Sequence, residues 1–80
     1  MTDREVLNIL ARVLRDLLAD ESIELRMDTR RSDVPNWDSF AYINFIVATE
    51  MELKVKFGVA DMESFETVGD IVKEALALMA

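Results

Sequence analysis

Pro35-Asn36-Trp37-Asp38-Ser39-Phe40 leads without a break into Ala41-Tyr42-Ile43-Asn44-Phe45-Ile46-Val47-Ala48-Thr49-Glu50-Met51-Glu52-Leu53, and the remainder of the chain arranges itself about that junction. Pro35 drives Val34 towards extended geometry and bars a helix until after it. Asp38 suits the N-cap position, where its carboxylate accepts from a first-turn backbone N–H. Ser39 then stands at the first helical position, and the helix runs to about Leu53. On a helical wheel Tyr42, Phe45, Ile46, Thr49 and Leu53 share one side. Phe40, Ile43, Val47 and Met51 gather roughly opposite, with Asn44 among them. Ala41, Ala48 and Glu52 separate the groups on one flank and Glu50 does so on the other. A helix apolar on two faces is buried on both or offers one to a partner. Burying both is hard in a chain with few helices, so one face is expected to pack the core and the other to be a docking surface beside Ser39.

Upstream, Thr2 and Glu5 are spaced as a capping box. Val6, Leu7, Leu10, Val13, Leu14, Leu17 and Leu18 follow at helical spacing, with Glu5, Asn8, Arg12, Arg15 and Asp16 on the other side, which predicts an amphipathic helix ending near Ala19. Residues 20–37 have no sustained period, and Ile23, Leu25 and Met27 are expected to pin this long loop to the helices. Trp37 is expected to bury its ring beneath the loop. The adjacent pair Arg30-Arg31 reads as a solvated loop tip, with a phosphate or partner contact as the alternative. Downstream, Gly58 supports a change of direction, and Asp61–Phe65 could form one short helical turn. Thr67 caps a last helix, Asp70 completes a weaker capping box, and Val68, Ile71, Val72, Ala75, Leu76 and Met79 form its stripe. The expectation is one all-α domain over residues 1–80: a small bundle of three main helices, a short helix before the last, and a long loop between the first and second.

Composition narrows the function. A chain of 80 residues buries only about 60% of the surface its unfolded form exposes, and without cysteine a single apolar core must stabilise it. The net charge of −7 argues against nucleic acid and favours basic partners or simple solubility. Histidine is absent, so neither a Ser-His-Asp nor a Cys-His arrangement can be built from this chain, and intrinsic catalysis is not expected. No metal-ligand spacing and no glycine-rich phosphate loop occurs. With no membrane-length apolar run and no signal-peptide pattern, the cytoplasm is the expected compartment and a monomer the expected state.

Of Ser22, Ser32, Ser39 and Ser64, only Ser39 combines a preceding acid, a helix starting at it and an adjacent apolar face. Asp-Ser at a helix start is ordinary capping chemistry in most proteins, or else a hydroxyl that another enzyme modifies. Trp37-Asp38-Ser39-Phe40, then Ile43 to Glu50, and the late Glu66-Thr67-Val68-Gly69-Asp70-Ile71-Val72 resemble the acyl carrier protein family in order and spacing, over essentially the whole chain. The resemblance implies a 4′-phosphopantetheine arm on Ser39, donated from coenzyme A by a phosphopantetheinyl transferase. Acyl groups would ride on its thiol as thioesters to the loading and transfer enzymes of fatty acid, polyketide or related specialised biosynthesis. It implies that Asp38 positions Ser39, that Phe40, Ile43, Val47 and Met51 meet partners, and that Tyr42, Phe45, Ile46, Thr49 and Leu53 line an acyl-sheltering interior. Phe40 replaces the family's usual leucine, and Ala41 and Asn44 stand where carriers of fatty acid synthesis usually place acids. These departures point to a specialised carrier with dedicated partners. The alternative from another class is an unmodified acidic adaptor that binds through the Phe40, Ile43 and Val47 face.

Overall fold

The computed structural model describes all of residues 1–80 and is wholly helical, with α1 at Asp3–Leu18, α2 at Ser39–Leu53, a short α3 at Val59–Ser64 and α4 at Val68–Met79. A single 3-10 turn, Arg31–Asp33, interrupts the long loop between α1 and α2. The helix starts follow the expected chemistry. Thr2 Oγ1 accepts from Glu5 N at 3.2 Å while Thr2 N donates to Glu5 Oε1 at 2.9 Å, and Thr67 and Asp70 close the equivalent box on α4. The backbone N–H groups of Glu66 and Thr67 hold the Asp70 carboxyl below the usual aspartate range.

The packing explains why α2 has two faces. α1 lies against both α2 and α4 and sends Val6, Leu10, Val13 and Leu14 inward, where they meet Phe45, Ile46 and Leu53 of α2 and Val68, Ile71, Val72 and Ala75 of α4. Only one side of α2 is covered in this way. Leu17 sits mid-stripe on α1 by angle yet is 38% exposed, in the last turn of the helix. The short helix begins at Val59, earlier than the Asp61 expected, because Gly58 is its extended N-cap and Gly58 O accepts from Met62 N at 3.0 Å. Phe65 falls outside it, with its ring edge-on to buried Phe57 at 5.5 Å.

Two backbone hydrogen bonds fasten the long loop. Val68 N donates to Thr29 O at 2.8 Å and Gly69 N to Met27 O at 2.7 Å, so the loop carbonyls satisfy first-turn donors of α4. Ile23, Leu25, Val34 and Trp37 are buried beneath the loop. Val34 has no periodic neighbours to mark it as core, and its burial comes from the extended geometry that Pro35 imposes.

The interior contains two polar atoms without hydrogen-bond partners, Trp37 Nε1 and Thr49 Oγ1. An unsatisfied buried hydroxyl costs about 1–3 kcal/mol, while an apolar group of the same shape carries no such penalty. Thr49→Val is therefore expected to stabilise the domain by about 1 kcal/mol, read as a higher midpoint in urea with an unchanged slope; a lower midpoint would show that the hydroxyl is satisfied in solution.

Candidate functional site

The junction of Asp38 and Ser39 forms a capped helix tip at the mouth of a groove. Asp38 is extended, and its Oδ1 accepts from Ala41 N at 2.9 Å while its carbonyl accepts from Tyr42 N at 2.8 Å. Asn36 takes the left-handed conformation, φ 68°, which asparagine adopts more readily than most residues. Trp37 is buried and anchors the approach, its ring edge-on to Phe45 at 5.1 Å and tilted to Tyr42 at 6.1 Å. Ser39 is thus held by a cap on one side and an aromatic cluster on the other, yet remains exposed.

Ser39 opens on a cavity of about 560 Å³. Tyr42 and Ile43 of α2 form one wall, Met62, Glu63, Phe65 and Glu66 the facing wall, and Arg30, Arg31 and Ser32 of the loop close the third side. Tyr42 ties two walls together, because its hydroxyl donates to Met62 O at 2.9 Å. Burial pushes that phenol above its ordinary pKa, and the nearby Arg31 guanidinium pulls the other way. A smaller cavity of about 20 Å³ lies deeper, reaching Trp37, Thr67, Val68 and Ile71.

The residues singled out from the sequence divide by position. Phe40 and Met51 are each 76% exposed, and Ile43 and Val47 are 50% and 49% exposed, so all stand on the uncovered side of α2. Phe45, Ile46, Thr49 and Leu53 are buried and border neither of these cavities. Tyr42 is half-buried and borders both. Ile43 belongs to the exposed set and to the groove wall alike. Sequence reasoning undervalued Arg30 and Arg31, which line the groove beside Ser39; their adjacency was the one available signal.

α2 is electrostatically quiet. It has no acid in its first turn. Its two carboxylates are engaged elsewhere, Glu50 accepting from Phe57 N at 2.7 Å and Glu52 pairing with Arg12 of α1. No group of three or more potential metal ligands comes together anywhere in the chain, and no helix is long and apolar enough to cross a membrane.

The bundle thus presents a serine at a capped helix start over a groove, with an uncovered apolar helix face alongside. No family model matches the chain. Acyl carrier proteins from three strains of Clostridium perfringens, SM101, ATCC 13124 and strain 13, are each 33% identical to it over 64 residues, which is 80% of this chain and 84% of theirs. The solution NMR structure of holo acyl carrier protein from Geobacter metallireducens superposes with a TM-score of 0.85 at 30% identity, covering 92% of this chain and 85% of that one. The chain belongs to the acyl carrier protein family.

Proposed function

We propose that the whole of residues 1–80 is one carrier domain that holds acyl intermediates as thioesters on a 4′-phosphopantetheine arm at Ser39. The observation that carries this reading is an exposed hydroxyl at the first position of α2, opening on the groove. A phosphodiester there is favoured by the positive end of the helix dipole. The Ser39 and Phe40 N–H groups, which donate to nothing in the chain, add hydrogen-bonding capacity. When bound, the arm supplies the thiol that a chain without cysteine lacks. Asp38 holds the first turn in register, and the Trp37 cluster fixes the angle at which Ser39 meets the donor enzyme. The chain itself performs no chemistry in this reading. Incubation with coenzyme A and a broad-specificity phosphopantetheinyl transferase tests it: the intact mass is expected to rise by one arm. An unchanged mass with a competent transferase would leave the unmodified adaptor in its place.

Partners would meet Phe40, Ile43, Val47 and Met51, a face on which apolar burial outweighs charge pairing because α2 has no free carboxylate in its first turn. This supports a specialised carrier, one that housekeeping fatty acid synthase enzymes extend far more slowly than their own. Ile43→Glu and Val47→Glu are expected to keep the helical circular dichroism while slowing arm attachment or acyl transfer about tenfold, equivalent to about 1.4 kcal/mol. Unfolding of either variant would mean that this side of α2 is core.

A further inference from the structure

We propose that Arg31 is an anion clamp for the phosphodiester on Ser39, and that the 3-10 turn Arg31–Asp33 exists in part to present it. This rests on the carrier reading and adds a binding site to it. The starting observation is an unmatched cation. Of the two basic residues bordering the groove, Arg30 faces Glu66 at 3.8 Å, whereas Arg31 takes part in no ion pair. Its guanidinium instead stands 5.5 Å from the centre of the Tyr42 ring. Tyr42 lies about one helical turn beyond Ser39, on the same flank of α2, and Arg31 and Ser39 border the same cavity.

A guanidinium on an aromatic face at an exposed site is weakly held, and exchanging that contact for paired hydrogen bonds to phosphate oxygens strengthens it, since its planar fork matches a phosphate. The turn that presents Arg31 is well braced. Asp33 Oδ2 accepts from Arg30 N at 2.9 Å, Arg30 O accepts from Asp33 N at 2.9 Å, and the segment just before it is fastened to α4 through Thr29. The other charged groups of the groove are Glu63 and Glu66, carboxylates that repel a phosphodiester, and Arg30 offsets only Glu66. A phosphodiester on Ser39 is therefore drawn towards the loop side, which aims the first bonds of the arm into the groove and leaves Phe40, Val47 and Met51 clear for a partner.

Phosphorus NMR of the arm-bearing protein, its thiol unloaded, tests the clamp, because the phosphodiester is then its only phosphate and no cargo anion is present. The wild-type resonance is expected to differ from that of the same arm on a peptide spanning residues 36–43, and to move towards it as salt is raised. Arg31→Gln is expected to abolish that difference, Arg31→Lys to retain part of it, and Arg12→Gln, an α1 residue paired with Glu52 in the last turn of α2, to leave it intact. Arg31 is exposed, so circular dichroism should be unchanged in all. Intact mass separates the two possible failures. Wild type without an arm overturns the carrier reading and this one together, whereas an arm-bearing Arg31→Gln with an unmoved resonance overturns the clamp alone. An effect of Arg31→Gln confined to the stability of carboxyl-terminated thioesters would also overturn it, and would assign the cation to cargo.

Discussion

Ser39→Ala is expected to fold as the wild type does and to gain no mass on incubation with coenzyme A and transferase, a complete loss of modification. The first half follows from the local structure and the second from the proposed attachment site. Asp38, not Ser39, caps α2, and the Ser39 hydroxyl enters none of the side-chain hydrogen bonds that hold the loop or the helix start. Alanine is also the better helix former, so the substitution should move stability by no more than about 0.5 kcal/mol. The remaining serines are the controls. Ser22 and Ser64 have their hydroxyls committed to Asp20 Oδ1 and Asp61 O. Ser32 is the stringent one, since it borders the same groove as Ser39. Ser32→Ala should acquire the arm as fully as wild type. An arm on Ser39→Ala, or its loss from Ser32→Ala with the fold intact, would relocate the site.

Gly69→Ala should lower stability far more than Ser39→Ala or any change on the exposed face of α2, although it adds a single carbon. A Cβ at this position would lie 2.6 Å from Met27 O, a backbone atom that no rotamer change can move. The same carbonyl accepts the Gly69 N–H at 2.7 Å, so relieving the clash breaks the hydrogen bond that anchors the loop. Overpacking of about 1–3 kcal/mol and a lost buried hydrogen bond of about 1–3 kcal/mol outweigh the gain of about 1 kcal/mol from removing a helical glycine. A net cost of about 3 kcal/mol is a large part of the roughly 4–12 kcal/mol available to a domain of this size. It corresponds to a melting temperature lower by roughly 12–24 °C. Gly58→Ala provides the contrast: its Cβ would meet the Asp61 side chain at 3.1 Å, which can turn away, so its cost should stay below about 1 kcal/mol. Equal melting temperatures for the two variants would show that the loop is not rigidly held.

Whether a feature was legible in the sequence depends on how local it is. The caps at Thr2, Asp38 and Thr67 are set by side chains within three residues of the donors they satisfy, and all could be read from spacing. The two-faced character of α2 was equally visible, since helical period alone sorts Phe45 from Val47. The groove was not visible, because its walls come from three separate segments and their meeting is a tertiary fact. Arg31 shows this best: in sequence it is half of a charged pair in a polar loop, and only the fold sets it beside Tyr42. The interior set was only partly separable for the same reason. Period places Phe45, Ile46, Thr49 and Leu53 inward, but which inward residues border a cavity depends on how closely α1 and α4 pack against them. Gly69 was legible only as part of the late Thr67-Val68-Gly69-Asp70 motif, and the reason for a glycine there lies in the carbonyl of Met27, a residue of the distant loop.

The bonds from Val68 and Gly69 to Thr29 and Met27 also set an order of events during synthesis. Chains emerge from the ribosome N-terminus first at about 5–20 residues per second, so Ser39 leaves the ribosome before the donors at residues 68 and 69 do. During that interval the loop has its carbonyls but nothing to fasten them, and the wall of the groove that holds Arg31 is not yet in place. α1 and α2 can pair by then, but the surroundings of Ser39 reach their final form only when α4 docks. A released chain truncated after residue 67 should thus be a poorer acceptor of the proposed arm than the full chain, read as a slower gain of mass with coenzyme A and transferase.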